Sequence, residues 1–206
     1  MGKIDLLLGT AFYGTADSSA LKGRTWRAVH AACAGGMCPF DILAYSLQVL
    51  PMEIKAVNED GNLPLHIAAS AEPYESNDSP GIVEGKAIEL LVRSYPAGVM
   101  KVDREGRLPL HLALASGKTM AEGIEALIHS FPESIRARDP KTMLFPFMLA
   151  ACATSGIKKV KSVEADLASL NTIYSLLRKD PAFVRATEVE IDTEKLFLQR
   201  QNAQLS

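Results

Sequence analysis

Three histidines, His30, His66 and His111, are the residues whose type and spacing first suggest chemistry, because an imidazole can ligate a metal, move a proton or hold a structural hydrogen bond. They occupy the fourth position of similar hexamers, R-A-V-H-A-A, L-P-L-H-I-A and L-P-L-H-L-A, and a fourth hexamer, F-P-F-M-L-A, has Met148 there. Repeated units that stack at helix-packing distance would separate equivalent histidines by roughly 8–10 Å. Ligands of one zinc ion lie about 2 Å from it, so the spacing predicts no metal site.

Other catalytic patterns fail in the same way. The G-K-T of Gly117-Lys118-Thr119 resembles part of a phosphate-binding loop, but the first glycine of that motif would fall at Leu112, inside a predicted helix. Neither G-x-S-x-G nor G-x-G-x-x-G occurs. An enzyme needs catalytic residues that converge in a pocket, and no such set interrupts the pattern. The sequence therefore predicts a non-catalytic protein with no cofactor and no small-molecule substrate.

The spacing around the hexamers predicts a repeat protein. Four prolines mark the units: they are Pro51, Pro96, Pro132 and Pro181, with Ile54, Val99, Ile135 and Val184 three residues later and Asn58, Asp103, Asp139 and Glu188 seven residues later. The interval from a proline to the fourth position of the next hexamer is the same from Pro51 to His66 as from Pro96 to His111, and it is one residue longer from Pro132 to Met148. The return interval to the closing proline is longer in the second and fourth units, which two insertions, within 71–86 and 154–166, explain. A period of roughly 20–50 residues is typical of a solenoid.

Each unit is predicted to contain two helices and a polar turn. The proline of the hexamer suits the first turn of a helix, where its missing N–H is not needed. A second helix is indicated by apolar columns four and eight residues before the closing proline, because positions four apart share a helix face. The columns are Leu43, Ile88, Ile124 and Ile173, and Leu47, Val92, Ile128 and Leu177.

The L-P-L-H-x-A hexamer resembles the T-P-L-H-x-A signature of the ankyrin repeat, and N-E-D-G at 58–61 and D-R-E-G at 103–106 resemble the turn that begins each ankyrin unit. The pattern departs from the family at Leu63 and Leu108, which replace Thr, at the closing prolines, and in the fourth unit, which has Met148 and one extra turn residue. It resembles a divergent L-P-L-H subfamily, similar to those of marine algae.

The resemblance implies an all-α ankyrin-repeat solenoid of helix-loop-helix units joined by β-turn fingers, about four repeats with two inter-helix insertions. The expected units are 24–57, 58–102, 103–138 and 139–187. Residues 1–23 would form an N-terminal cap or partial repeat, and residues 188–206 a C-terminal cap or the start of a further unit.

The family's role for the repeat histidine is a hydrogen bond to the finger backbone, which the resemblance assigns to His30, His66 and His111. It also implies protein–protein recognition through a concave surface made of the fingers and first helices. The expected partner-binding residues are Glu59, Asn62, Ile67, Arg104, Arg107, Leu112, Lys141, Met143 and Leu149. Two alternatives remain: a structural subunit or assembly factor of a larger complex, and an adaptor domain of a longer signalling protein.

Composition restricts the partner class. The chain is 48% hydrophobic and 22% charged, as in an ordinary globular protein. Its net charge of −2 argues against nucleic acid and anionic membranes, which are bound by dense basic patches. No apolar run is long enough for a membrane span, and three cysteines without disulfide spacing favour a reducing compartment. We therefore expect an intracellular, cytoplasmic chain whose partner is another protein.

Overall fold

The computed structural model describes residues 27–34, 40–71, 82–156 and 163–181. These residues form eight α-helices and no β-strand, so the predicted all-α class is confirmed for the described part of the chain. The helices are α1 (Ala28–Ala34), α2 (Phe40–Val49), α3 (Pro64–Ser70), α4 (Ile82–Ser94), α5 (Pro109–Ala115), α6 (Ile124–Ser130), α7 (Pro146–Gly156) and α8 (Val163–Lys179). The predicted caps at 1–23 and 188–206 lie outside the described residues.

Three of the four closing prolines begin short 3₁₀ helices, at Pro51–Lys55, Pro96–Met100 and Pro132–Arg136, and a further 3₁₀ helix, Met120–Glu122, precedes α6. Proline fits the first position of such a turn because its ring fixes φ and its missing N–H would have no partner there. It also excludes the residue before it from the helical region. That residue has φ −126° at Leu50 and φ −146° at both Tyr95 and Phe131, and the preceding α-helix accordingly ends there.

The helices pack in two series. In one layer α1 contacts α3, α3 contacts α5 and α5 contacts α7, while in the other α2 contacts α4 and α4 contacts α6. Helix α8 packs on α7 and on the 3₁₀ helix Met120–Glu122. Each helix pair therefore lies against the next, and a contiguous apolar core runs between the layers.

The apolar column eight residues before each proline is the centre of this core. Leu43, Ile88 and Ile124 are no more than 2% exposed, which confirms the predicted core position in the first three pairs. Burying a side chain of this size stabilises the fold by about 1.5–3 kcal/mol. Ile173, the fourth member of the column, is only partly buried.

One glycine sets the distance between two neighbouring pairs. Gly123 precedes α6 with φ +103°, and a Cβ atom there would lie 2.7 Å from Cβ of Ile88 in α4. No larger residue fits without moving backbone, since both the conformation and the space exclude a side chain. Gly123 therefore allows α6 to approach α4 closely.

Candidate partner-binding surface

Three polar turns join successive helix pairs, and one side chain anchors each of them. In the first turn (58–62) and second turn (103–107), Oδ1 of Asn58 or Asp103 accepts hydrogen bonds of 2.8–3.0 Å from the backbone N–H groups two and four residues later. Asn and Asp favour turns because they bond their own following backbone in this way. The turn shape is thus encoded locally by the residue seven positions after each closing proline.

The third turn (139–144) is one residue longer. The backbone N–H of Asp139 donates to the carbonyl of Leu144 at 2.9 Å, five residues on, whereas Asn58 and Asp103 donate to carbonyls four residues on. Asp139 Oδ2 also accepts a hydrogen bond from the Thr142 hydroxyl at 2.8 Å. The extra residue between Pro132 and the fourth hexamer is therefore accommodated in this turn.

The extra residue has a conformational consequence at Met143. Gly61 and Gly106 close the first two turns with φ +77°, but Met143 occupies the left-handed region with φ +60°, the one non-glycine residue to do so in the described ranges. This conformation costs an L-residue about 1–2 kcal/mol, and such residues concentrate at functional sites. The side chain of Met143 is 61% exposed, so the strained turn holds an apolar group in solvent.

Two of the three histidines tie a first helix to the backbone two residues before the turn that follows its pair. His66 Nδ1 accepts from the Leu63 N–H at 3.1 Å and Nε2 donates to the Lys101 carbonyl at 3.0 Å. His111 repeats this geometry with the Leu108 N–H at 3.2 Å and the Ala137 carbonyl at 2.9 Å. The histidine thereby accepts the backbone N–H of the residue that precedes the helix, which is one of the two hydrogen bonds of a capping box; Leu63 and Leu108 have no side-chain acceptor to make the other.

His30 makes a different contact, because the carbonyl that matches those of Lys101 and Ala137 in position belongs to Ala56. Its Nε2 lies 3.1 Å from the carbonyl of Asn62, at the end of the first turn, and its buried Nδ1 has no hydrogen-bond partner. The first pair is consequently held to the next turn less completely than the second and third pairs are.

Burial keeps these imidazoles neutral. Desolvation lowers the pKa of His66 and His111 below the usual value of about 6.5, although the bonds to the Lys101 and Ala137 carbonyls oppose the shift. The geometry requires the same state, because Nδ1 can accept the cap N–H only without a proton. We therefore assign His66 and His111 a structural role.

Successive turns stack through one repeated contact. The Arg104 side chain lies across Gly61, where a Cβ atom would sit 2.7 Å from Arg104 Cγ. One unit later Pro140 lies across Gly106, with Cγ 3.3 Å from the corresponding position. The residue after each anchoring Asp thus covers the glycine of the preceding turn, which keeps the turns in register.

One ion pair connects the second and third turns, and the charges of the three turns differ in sign. Glu105 lies 3.2 Å from Arg107 Nε and 3.1 Å from Lys141 Nζ. Arg138 and Phe145 lie directly before and after the third turn, and the Arg138 guanidinium is 4.3 Å from the centre of the Phe145 ring. The first turn carries the acidic Glu59 and Asp60, so the exposed charges change from acidic to basic along the row of turns.

Apolar groups accompany these charges. Val57 and Val102, the residues directly before the first and second turns, are 49% and 52% exposed. We use the name turn surface for six exposed side chains chosen from the turns and these preceding residues, namely Val57, Glu59, Val102, Arg104, Lys141 and Met143. It combines apolar groups with both signs of charge on a backbone held by hydrogen bonds.

The predicted partner-binding residues divide by burial. Glu59, Arg104, Lys141 and Met143 are exposed, Asn62, Ile67 and Arg107 are half-buried, and Leu112 and Leu149 are buried. Leu112 and Leu149 are 6% and 4% exposed within the apolar core. The expectation that these two leucines line a binding surface is therefore corrected, since they offer a partner almost no area.

Sequence reasoning did not single out Val57 and Val102, or the unusual backbone of Met143. The valines could have been found from their equivalent positions directly before Asn58 and Asp103. Met143 could be recognised only as the residue that stands where the shorter turns have glycine.

No protein-family model matches the chain, and no curated protein matches it significantly. Within the described ranges, no group of histidine, cysteine and acidic residues could hold a metal ion. No helix in this part of the chain is long and apolar enough to cross a membrane.

Proposed function

We propose that the chain is an ankyrin-like solenoid of about four repeats that binds another protein through the turn surface. The proposal on the fold is supported by the histidine bridge, by which we mean the two hydrogen bonds of a repeat histidine to the N–H before its helix and to a carbonyl before the next turn. His66 and His111 make this bridge with partners at equivalent positions. The serial packing of the helix pairs supports the same fold. Repeat arrays of this kind present extended surfaces on which function rests in exposed loops and turns.

The observation that carries the binding proposal is the exposure of apolar side chains on otherwise polar turns whose backbone is held by hydrogen bonds. Val102 and Met143 are 52% and 61% exposed, and Met143 is exposed at the expense of a strained backbone. Methionine and arginine are enriched in protein interfaces. A turn already held by its own hydrogen bonds has less conformational entropy to lose on binding, so contacts with it contribute more of their energy to affinity.

The change of charge along the turns indicates the partner's chemistry. A segment that follows the row of turns would meet carboxylates at Glu59 and Asp60 and then cations at Arg138 and Lys141. Complementary charges mainly set orientation and association rate. We therefore expect a partner with a basic end over the first turn and an acidic end over the third, with apolar side chains between them.

The test compares the amount of partner that the intact chain retains from native extract with the amount that a double variant, Val102→Ser with Met143→Ser, retains. Arg104 and Arg107 are poorer probes, because Arg104 covers Gly61 and Arg107 pairs with Asp103 at 3.1 Å, so their removal would disturb the turns. Loss of two apolar anchors should weaken binding about tenfold or more.

The matched control is Val49→Ser with Met52→Ser. These residues are 46% and 74% exposed and lie at the end of α2 and in the following 3₁₀ helix, so the same substitutions are made outside the turn surface. The control should retain the partner within twofold of the intact chain. Equal retention by both double variants would refute binding through the turn surface.

A further inference from the structure

The last described helix pair has an end face that is open where earlier pairs are closed. Ala151, in α7, is exposed, whereas Ala69 and Leu114, at the same position relative to their hexamers, are both 0% exposed. Ala69 and Leu114 belong to the continuous core. The position is therefore a stacking position in the earlier pairs.

The second helix of the last pair is open on the same side. Ile173 and Leu177 are half-buried, although Ile88 and Ile124 are fully buried in the first of these two columns. The cover over Ile88 comes from the next pair, since Gly123 packs directly against it. Ile173 is thus left partly open at the position where a following unit would contact it.

Further apolar residues widen this face along α8. Leu167 and Leu170 are 54% and 59% exposed, and Val163 and Tyr174 are 76% and 63% exposed. Their spacing of four, three and four residues places them on one side of the helix. At the position of Tyr174 relative to the closing proline, α4 has the charged Glu89, so the last pair departs from the polar outer surface of an earlier one. Exposed apolar residues grouped on one side of a helix in this way indicate an interaction surface.

The chain itself supplies a segment with the pattern of a covering unit. Val184 and Glu188 follow Pro181 at the same three- and seven-residue spacings as in the earlier units. The spacing from Pro181 to Leu196 is the same as that from Pro51 to His66 and from Pro96 to His111. Apolar area is provided by Phe183, Leu196, Phe197 and Leu198.

We propose that residues 182–206 bind the end face formed by Ala151, Leu170, Ile173 and Leu177 of the same chain. Only Asp180 and Pro181 separate the segment from the end of α8 at Lys179, and a short tether of this kind gives a high effective concentration at the adjoining surface. A second copy of the chain is the rival occupant, since an apolar face can also pack on itself across a two-fold axis.

The test uses the full chain with Ala151→Glu and, as control, Ala115→Glu. Ala115, in α5, is one hexamer position later and exposed, as are Ser70 and Cys152 at the same position, so its column is outside the stacking face. If the end face is covered, Ala151→Glu places a charge in an apolar contact and should lower Tm by roughly 4 °C or more. Ala115→Glu should change Tm by less than about 2 °C.

Amide hydrogen exchange and light scattering identify the occupant. In a monomeric intact chain, amides within 193–200 should exchange at least about tenfold more slowly than unprotected amides, and Ala151→Glu should abolish this protection. Unprotected amides in the intact chain would overturn the proposal without any variant having to fold. A dimer that Ala151→Glu converts to monomer, with unchanged exchange in 193–200, would also overturn it and assign the face to a second copy.

Discussion

The histidine bridge makes a quantitative prediction for His111→Ala. His111 is 2% exposed and joins the Leu108 N–H to the Ala137 carbonyl. Alanine removes both bonds and leaves the donor and the acceptor without a protein partner. Each unsatisfied buried group costs about 1–3 kcal/mol, and water can reach the half-buried Ala137 more easily than Leu108. We therefore expect a loss of about 3–4 kcal/mol in the free energy of unfolding, equivalent to roughly 10 °C in Tm.

His30→Ala is the internal comparison. His30 is also buried but makes a single bond, to the Asn62 carbonyl, and its Nδ1 has no partner. Its substitution should cost about half as much as that of His111, roughly 2 kcal/mol. Urea unfolding at pH 7.5, followed by helical circular dichroism, measures both values. Equal losses for the two variants, or a loss below about 1 kcal/mol for His111→Ala, would refute the assignment of stability to the paired bonds.

Two further predictions concern the same architecture. Burial lowers the pKa of His66 and His111 in the folded state, so the unfolded chain binds more protons between that pKa and about 6.5. The contribution of the two histidines to the free energy of unfolding is therefore complete above about pH 6.5. It is lost as pH falls below that value, by up to about 1.4 kcal/mol per pH unit for each histidine. Urea midpoints at pH 7.5 and 5.5 measure this loss, His111→Ala should reduce it, and a pH-independent midpoint would contradict it. Gly123→Ala should destabilise the fold by at least about 2 kcal/mol, because the new Cβ would lie 2.7 Å from Ile88 and the backbone at this position is left-handed. A melting temperature of this variant within about 2 °C of that of the intact chain would contradict the close α4–α6 contact.

The helices and core columns could be predicted because they depend on local patterns. The closing prolines, the L-P-L-H hexamers and the four-residue apolar spacing each act within one unit, and the buried Leu43, Ile88 and Ile124 confirm the column that they define. The anchoring residues Asn58, Asp103 and Asp139 could likewise be placed, since an Asx side chain bonds backbone only a few residues away.

The exposure of the predicted partner-binding residues was predicted less well, because exposure depends on neighbouring units. Leu112 and Leu149 follow the fourth position of their hexamers, His111 and Met148, and were expected on the surface, yet packing between first helices buries them. The burial of Lys118, whose Nζ donates to the Ala71 carbonyl at 2.6 Å, is equally nonlocal. The strain at Met143 arises from one added turn residue and could not be read from residue type.

The most direct test of the central claim is hydrogen exchange of the chain alone and bound to the partner that the intact chain retains. Binding through the turn surface predicts new protection in residues 57–62, 102–107 and 138–144, while the outer side of α4 and α6, which carries Glu89, Arg93 and Glu125, keeps its exchange rate. Protection confined to α4 and α6, with unchanged turns, would contradict the claim and place the partner on the opposite layer of helices.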